Sequence, residues 1–304
     1  MSHRSGFACI VGRPNTGKST LTNALVGQKV AITSSRPQTT RHAIRGIVTV
    51  PQAQLVLVDT PGVHRPRTLL GQRLNDLVRE SWADVDVLTF CVPADEKPGP
   101  GDRFILRELE SLTRTPKIAV VTKCDRVDRE QLAAQLLAVQ ELGRECGIEW
   151  DEIVPISAVR GEQIDLLRDL LIARLPEGPE LFPDGQLSDD SQDQRIAELI
   201  REAALEGVRD ELPHSLAVVV QEVCAREDRP AARPLTDVSA VLFVERESQK
   251  AIVIGRAGAR LKQVGTAART QIEAIVGTPV HLDLRVKVAK DWQRDPKQLR
   301  RLGF

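Results

Sequence analysis

The chain contains no tyrosine, a single methionine and only 3% aromatic residues in a length of 304. Aromatic platforms for stacking bases are therefore not its main recognition device. Its five cysteines (Cys9, Cys91, Cys124, Cys146, Cys224) never fall at C-x-x-C spacing. That predicts a reducing compartment, thiols used as small apolar fillers and no zinc site. Neither charge is in excess: 42 lysines and arginines face 42 aspartates and glutamates. Bulk charge names no partner, so any surface for nucleic acid has to be local. No apolar stretch approaches the roughly 20 residues that span a bilayer. The opening Met1-Ser2-His3-Arg4-Ser5-Gly6 leads straight into an apolar segment, which predicts no signal peptide.

What the chain does have is a loop for phosphate. Gly12-Arg13-Pro14-Asn15-Thr16-Gly17-Lys18-Ser19 follows the apolar run Phe7–Val11 and opens a helical pattern from Lys18 to Gly27. Strand, glycine-hinged loop and Lys-Ser at a helix start make a P-loop in its proper context. Successive backbone N–H groups form a nest for α- and β-phosphates, and the helix N-terminus adds positive field. Lys18 is placed for the β/γ oxygens and the Ser19 hydroxyl for Mg²⁺. Gly12 and Gly17 permit the close approach that a side chain would block.

Three further stretches narrow the nucleotide. Asp59-Thr60-Pro61-Gly62-Val63 ends the apolar run Leu55–Val58; Asp59 is placed to hold Mg²⁺ through water and the Gly62 N–H to meet a γ-phosphate. Thr122-Lys123-Cys124-Asp125 ends the run Ile118–Val121. A carboxylate at Asp125 accepts from guanine N1–H and N2–H₂ together, a donor pair that adenine lacks, while the Lys123 stem lies along the base. Rejection of adenine should be strong, because the carboxylate would lose its partners. Ile156-Ser157-Ala158 ends a third apolar segment and offers the Ala158 N–H to guanine O6. Between the P-loop and the next strands, Ser34–Arg41 supplies a threonine hydroxyl to complete the Mg²⁺ shell when γ-phosphate is present, an order–disorder switch. Thr40 is the first choice and Thr39 the second.

Strand and helix patterns alternate through this half. Strands are expected at His42–Val50 and Gln54–Asp59, joined as an antiparallel hairpin at Pro51-Gln52-Ala53. Helices are expected at Leu69–Trp82, Asp102–Thr113, Arg129–Cys146 and Gln163–Leu175, with strands between them. This is an α/β pattern: a mostly parallel sheet covered by helices, with ligands at the carboxyl ends of its strands. Residues 176–185 carry three prolines and two glycines and read as a linker. The chain is accordingly divided into a nucleotide-binding domain at 1–176, a linker at 177–190 and a second domain at 191–304.

The second domain differs in kind. A charged helix is expected from about Gln192 to Asp210, strands at Ser215–Val223 and Val238–Glu245, a long helix to about Val276 and a last strand at Val280–Val288. Within it, Val253-Ile254-Gly255-Arg256-Ala257-Gly258-Ala259-Arg260-Leu261-Lys262 places a G-x-x-G loop at the head of a basic helix. Two glycines let such a loop press on a nucleic-acid backbone, and Arg256, Arg260 and Lys262 add charge. A tight turn between helices in a small α+β domain is the plainer alternative. From Pro279 to Phe304 seven basic residues stand against three acids, whereas Asp184–Glu211 has nine acids against three arginines. Segregation of this kind suits one phosphate-facing surface; a solvated terminal helix explains the tail equally well.

Together these motifs resemble the bacterial Era GTPases. The carrying residues are G-R-P-N-T-G-K-S, Q-T-T-R-H, D-T-P-G-V-H, T-K-C-D, I-S-A and V-I-G-R-A-G-A-R-L-K, with V-H-L-D-L-R-V-K-V and Trp292 near the end. The resemblance implies a P-loop G domain joined to a C-terminal α+β KH domain of type II. It implies GTP and GDP with Mg²⁺ held by Ser19, Thr40 and Asp59, and potassium beside the phosphates through Asn15. It implies binding of the 3′ end of 16S ribosomal RNA, a role in 30S subunit maturation, and a cytoplasmic monomer, with peripheral contact to the inner face of the membrane left open. Two positions stand out. Thr122 occupies a place where the family usually has asparagine; loss of the amide's reach to base and P-loop puts nucleotide affinity in question. Val63 follows D-T-P-G, where small signalling GTPases carry the glutamine that orients the attacking water, so intrinsic hydrolysis should be slow. Two other readings are an RNA-binding assembly factor whose G domain hardly turns nucleotide over, and a tRNA-modification or membrane-transport GTPase, against which the KH signature argues.

Overall fold

The computed structural model describes residues 3–33, 40–63, 66, 68–208, 212–226, 230 and 233–304. In chain order its elements are β1 (Arg4–Val11), α1 (Lys18–Val26), β2 (Ile44–Val50), β3 (Ala53–Asp59), α2 (Leu69–Ala83), β4 (Val87–Pro93), α3 (Pro100–Leu109), β5 (Lys117–Thr122), α4 (Arg129–Glu145), β6 (Glu152–Pro155) and α5 (Ile164–Ala173). There follow α6 (Gln192–Leu205), α7 (Leu212–Ser215), β7 (Ala217–Ala225), β8 (Thr236–Val244), α8 (Glu247–Ile254), α9 (Ala259–Val276), β9 (Val280–Val288) and α10 (Pro296–Arg301). They divide into two compact units, Met1–Pro66 with Leu74–Asp189, and Arg67–Arg73 with Asp190–Phe304.

The first unit is a six-stranded sheet in the order β2-β3-β1-β4-β5-β6. Only β2 is antiparallel, paired to β3 across the turn at Pro51-Gln52. Successive strand residues point to opposite faces, and both faces are covered. Cys9 and Val11 pack toward Val78, Ile105, Leu106 and Val139 of α2, α3 and α4. Ala8 and Ile10 pack toward Leu21, Leu25, Leu167 and Leu171 of α1 and α5. That is why these strands read as unbroken apolar runs. Because β1 lies between β3 and β4, the strand order reverses at β1, and its carboxyl end is the place where such sheets bind ligands.

The stretch expected to be a linker is bound along this unit. Gln54 is fully buried, and its amide works as a substitute peptide group. Its Oε1 accepts from Leu181 N and Phe182 N at 2.7 and 2.8 Å, and its Nε2 donates to Phe182 O at 2.9 Å. Farther on, Ile47 N donates to Leu187 O at 2.9 Å and Arg45 pairs with Asp189 at 2.7 Å. Proline and glycine report that a segment has no helix or strand of its own. They carry no information on whether another element will satisfy its backbone.

In the second unit β8 is central, antiparallel to β7 and parallel to β9. A parallel neighbour needs a crossover, and α8, the G-x-x-G turn and α9 provide it. α9 buries Val264, Ala268 and Ile272, one stripe at i, i+4 and i+8. With the short α7 and α10 left aside, the order is α-β-β-α-α-β, one helix more than expected. α8 is a helix where the sequence shows only a β-branched apolar run, because packing overrides a weak propensity. α6 stops at Leu205 rather than near Asp210: Glu206 leaves helical angles at ψ 131°, and Asp210 lies outside the described residues. The basic tail folds back on the domain. Trp292 is fully buried, donates from Nε1 to Ser215 O at 3.0 Å and stacks on Phe304 at 5.6 Å. Asp295 then caps α10 by accepting from Lys297 N at 2.8 Å. Among the described residues no helix is long and apolar enough to cross a membrane.

Trp292→Ala should cost the second unit about 3–5 kcal/mol, as for other buried aromatic truncations. A urea titration followed by circular dichroism should show an early transition that the unaltered protein lacks; an unchanged curve would show that the tail is not an anchor.

Candidate functional site

The loop from β1 to α1 is built so that its carbonyl groups are already engaged. Gly12 O and Arg13 O accept from Lys18 Nζ at 3.1 and 2.8 Å, Arg13 O also accepts from Thr16 Oγ1 at 3.0 Å, and Thr16 O accepts from Thr122 Oγ1 at 2.6 Å. In a trans peptide the N–H points opposite to the C=O, so holding Thr16 O turns the Gly17 N–H away from Thr122. Gly17 itself has φ 92°, and no side chain caps α1. The helix therefore offers its first N–H groups outward, where the field favours an anion. Pro14, Asn15, Gly17, Lys18, Ser19, Thr40 and Gly62 line the resulting cleft.

The Asp59-Thr60-Pro61-Gly62 turn closes on the same loop. Thr60 Oγ1 donates to Ile10 O at 2.9 Å, which fixes the turn against β1. A Cβ on Gly62 would come within 2.6 Å of Pro14 N, so only glycine permits this approach. Val63 lies at 5% exposure among Cys9, Val11 and Val58. Its side chain belongs to the core.

Three oxygens gather beside the cleft: Ser19 Oγ stands 2.9 Å from Thr40 Oγ1, which donates to Asp59 Oδ2 at 3.5 Å. Asp59 is fully buried and its Oδ1 has no hydrogen-bond partner among the described residues. Burial pushes its carboxyl up to about 6, against the pull of Ser19, Lys18 and Thr40. Burial likewise lowers the Lys18 ammonium, against the attraction of Asp59. A buried carboxylate with an unmet oxygen beside two hydroxyls fits a hard divalent cation that keeps waters and phosphate oxygens, as Mg²⁺ does. Thr39 lies outside the described residues; Thr40 is the threonine the structure brings to this cluster.

Lys123-Cys124-Asp125 begins at a left-handed residue, Lys123 at φ 59°. Asp125 Oδ1 accepts from the buried Ser157 hydroxyl at 2.7 Å, a bond that holds its carboxyl below the usual range. Cys124 N donates to Ile156 O at 3.1 Å, so the loops after β5 and β6 form one wall that also presents Ala158. Lys123 Nζ lies 3.8 Å from Asp95. The sequence reading gave Ser157 no distinct task, and the structure shows it orienting Asp125.

Two expectations change. The Thr122 hydroxyl does reach the P-loop. A Cβ placed on Gly17 would find Thr122 atoms at 3.5 to 3.8 Å, so the end of β5 lies directly beneath the loop and a short side chain suffices. Arg13 was expected at the nucleotide; its side chain instead pairs with the fully buried Asp102 at 2.9 Å and with Glu96 at 3.2 Å. Asp102 meanwhile accepts from Gly99 N at 2.8 Å to cap α3. Arg13 thus contributes backbone to the cleft and its guanidinium to α3. α3 accordingly starts at Pro100, two residues before the expected Asp102.

In the second unit Gly255, Ala257 and Gly258 take φ 72°, 49° and 77° in the turn between α8 and α9. Arg256, Ala257 and Lys262 are exposed. Arg260 is not directed outward with them: its Nη2 donates to Ala204 O and Glu206 O at 3.2 and 2.6 Å, at the carboxyl end of α6. The unpaired carbonyls of a helix end attract a cation, and the sequence spacing could not show that α6 ends there.

Thr122→Val keeps the shape and removes the donor, leaving Thr16 O buried without it. Guanine-nucleotide affinity should fall about ten-fold, the effect of an unmet buried acceptor, while Thr122→Ser should restore it. Titration calorimetry with GDP distinguishes this from an inert position, at which both variants would match the original.

Residues 7–123 match the model of a 50S ribosome-binding GTPase family and residues 211–293 that of the KH domain. The chain is 68% identical over 302 residues to GTPase Era of Streptomyces coelicolor, covering 99% of this chain and 95% of that protein. It is 64% identical over 303 residues to GTPase Era of Mycolicibacterium smegmatis, covering 99% of each. Among solved structures it superposes with TM-score 0.93 and 36% identity, over 99% of both chains, on Era in complex with MgGDPNP and nucleotides 1506–1542 of 16S ribosomal RNA. An Aquifex aeolicus Era variant bound to GDP and aluminium fluoride gives TM-score 0.92 at 36% identity. A P-loop domain, a KH domain beyond it and relatives matched from end to end place this chain in the Era family of GTPases.

Proposed function

We infer that the chain is a GTP-hydrolysing switch that binds the 3′ end of 16S ribosomal RNA through its KH domain and acts in assembly of the 30S subunit, working as a cytoplasmic monomer. The observation that carries the reading is the continuity of the first site. P-loop, Ser19–Thr40–Asp59 cluster and Ser157-oriented Asp125 lie at the carboxyl ends of one sheet. The relative's complex with MgGDPNP and 16S ribosomal RNA supports both ligands. The domains are taken as 1–176 and 191–304.

The roles follow from the geometry. Residues 12–19 hold the α- and β-phosphates, Lys18 reaches the β/γ oxygens, Asp125 reads guanine, and Ser157 with Ala158 completes the base wall. Ser19 and Thr40 offer hydroxyls to the metal, with Asp59 behind a water. Mg²⁺ held by these residues would neutralise the charge that develops on the phosphate oxygens. Potassium beside the phosphates would be held by Asn15, which lines the cleft. Water adds to the γ-phosphorus, the bond to the β-bridging oxygen breaks, and GDP, phosphate and a proton leave. With Val63 in the core, no side chain at that position orients the water, so the intrinsic rate is slow. Gly255–Gly258, Arg256 and Lys262 meet the RNA backbone, while Arg260 braces the loop from behind.

Asp125→Asn inverts the donor and acceptor pattern facing the base. It should weaken GTP and favour xanthosine triphosphate; undiminished GTP binding would remove Asp125 from the base site. Replacing Arg256 and Ala257 by aspartates should strongly reduce binding of a 3′-terminal 16S RNA oligonucleotide and leave GTP affinity near normal. RNA binding that survives both substitutions would move the site to Arg285–Arg301.

A further inference from the structure

Within the first unit the P-loop is gripped from a side that none of the nucleotide motifs supplies. Gly99-Pro100-Gly101-Asp102 opens α3, which follows β4, the strand beside β1 in the sheet. Pro100 stands at the first helical position, where its missing N–H costs nothing. Asp102 is fully buried, and its two oxygens do different work. Oδ2 accepts from Gly99 N at 2.8 Å and caps the helix, while Oδ1 accepts from Arg13 Nε at 2.9 Å. Glu96, in the loop before this turn, accepts from Arg13 Nη2 at 3.2 Å. A Cβ on Gly101 would lie 2.7 Å from Arg13 Cδ and 3.3 Å from Arg13 Cγ, so the arginine stem runs against bare backbone. The side chain is thus fixed along its length, by contact at the stem and by two carboxylates at the planar head.

What Arg13 holds in turn lies at one end of the P-loop. The next residue, Pro14, is the one that Gly62 abuts: a Cβ on Gly62 would stand 2.6 Å from Pro14 N and 2.7 Å from Pro14 Cα. Backbones packed this closely pass a displacement on, because the interior has little room to compress. Gly62 carries the N–H assigned to the γ-phosphate. The α- and β-phosphates are met chiefly at the start of α1, and that end of the loop has a different brace, Thr122 through Thr16 O. The loop therefore has two supports from two strands, one beneath each end.

We propose that the first turn of α3 is a positioning element for hydrolysis: through Arg13 it sets Pro14, and through Pro14 the Gly62 N–H that meets the γ-phosphate. Gly101 and Asp102 are positioning residues, and so is the Arg13 side chain; all three act on the γ-phosphate through Pro14 and Gly62. The inference rests on the GTPase reading above and divides its labour. GDP carries no γ-phosphate, so its binding depends on the α1 end of the loop and not on this turn. Negative charge on the γ-phosphoryl oxygens has to be met by donors already in place, and a donor displaced from its position loses most of its effect in the transition state.

The test compares the full-length chain with two variants. Gly101→Ala drives a methyl into the arginine stem and leaves the Asp102 cap alone. Arg13→Lys keeps a cation for Asp102 and gives up the fork that holds two carboxylates at once. The readouts are the single-turnover hydrolysis rate at saturating GTP and Mg²⁺, the affinity for GDP by calorimetry, and the melting temperature. Both variants should lose at least about ten-fold in rate, since a misplacement of about 1 Å costs up to about 10²-fold. GDP affinity should stay within about two-fold, the mark of an interaction that belongs to the transition state. A rate that falls only in step with GDP affinity and melting temperature makes the turn a brace for the whole loop and overturns the proposal, as does an unchanged rate. Should Gly101→Ala fail to fold, Arg13→Lys decides alone. An unaltered chain that hydrolyses no GTP overturns the GTPase reading and this inference together.

Discussion

Everything at the nucleotide site depends on which way the P-loop peptides face. Lys18, Thr16 and Thr122 hold the carbonyls of Gly12, Arg13 and Thr16, and a planar trans peptide then has little choice about its N–H. These bonds within the protein hold the loop in a shape with its N–H groups free for an anion. It also links distant motifs. Thr122 ties the loop to the strand that carries Asp125, Gly62 presses on Pro14, and Arg13 reaches the cap of α3. A disturbance at any of these is felt at the phosphates.

The second constraint is the buried Asp59. A carboxylate with one unmet oxygen in the interior is costly unless a cation comes to it. Ser19 and Thr40 supply the neutral oxygens that such an ion also takes, and Thr40 stands a few residues before β2. An ion held by these oxygens would sit against the end of the β2–β3 hairpin. An RNA-binding factor with an idle G domain would have no need of that arrangement. With the Val63 side chain in the core, slow turnover is the expectation, without demanding that turnover be absent.

Much of this was legible in the sequence, for physical reasons. P-loop, D-T-P-G and T-K-C-D follow apolar runs because a doubly covered sheet requires apolar strands and places ligands at their ends. β5 is found at Lys117–Thr122 and β9 at Val280–Val288, the limits their patterns suggest. What escaped were contacts between distant segments. Gln54 reads as one polar residue in a strand and turns out to anchor the connector. Arg260 reads as a charge facing phosphate and turns out to bind the end of α6, and the bond from Arg13 to Asp102 joins segments far apart in the chain. α8 was hidden because Ile252, Val253 and Ile254 favour strands locally, and Thr122 because a missing amide says nothing about how near the loop lies.

The most direct test of the central claim is calorimetric titration of the intact chain with GTP and with ATP in the presence and absence of Mg²⁺. The account predicts GTP binding that strengthens with Mg²⁺ and ATP binding at least about 10³-fold weaker, because adenine leaves the Ser157-oriented Asp125 without its donors. Equal affinity for the two nucleotides, or GTP binding indifferent to Mg²⁺, would contradict it.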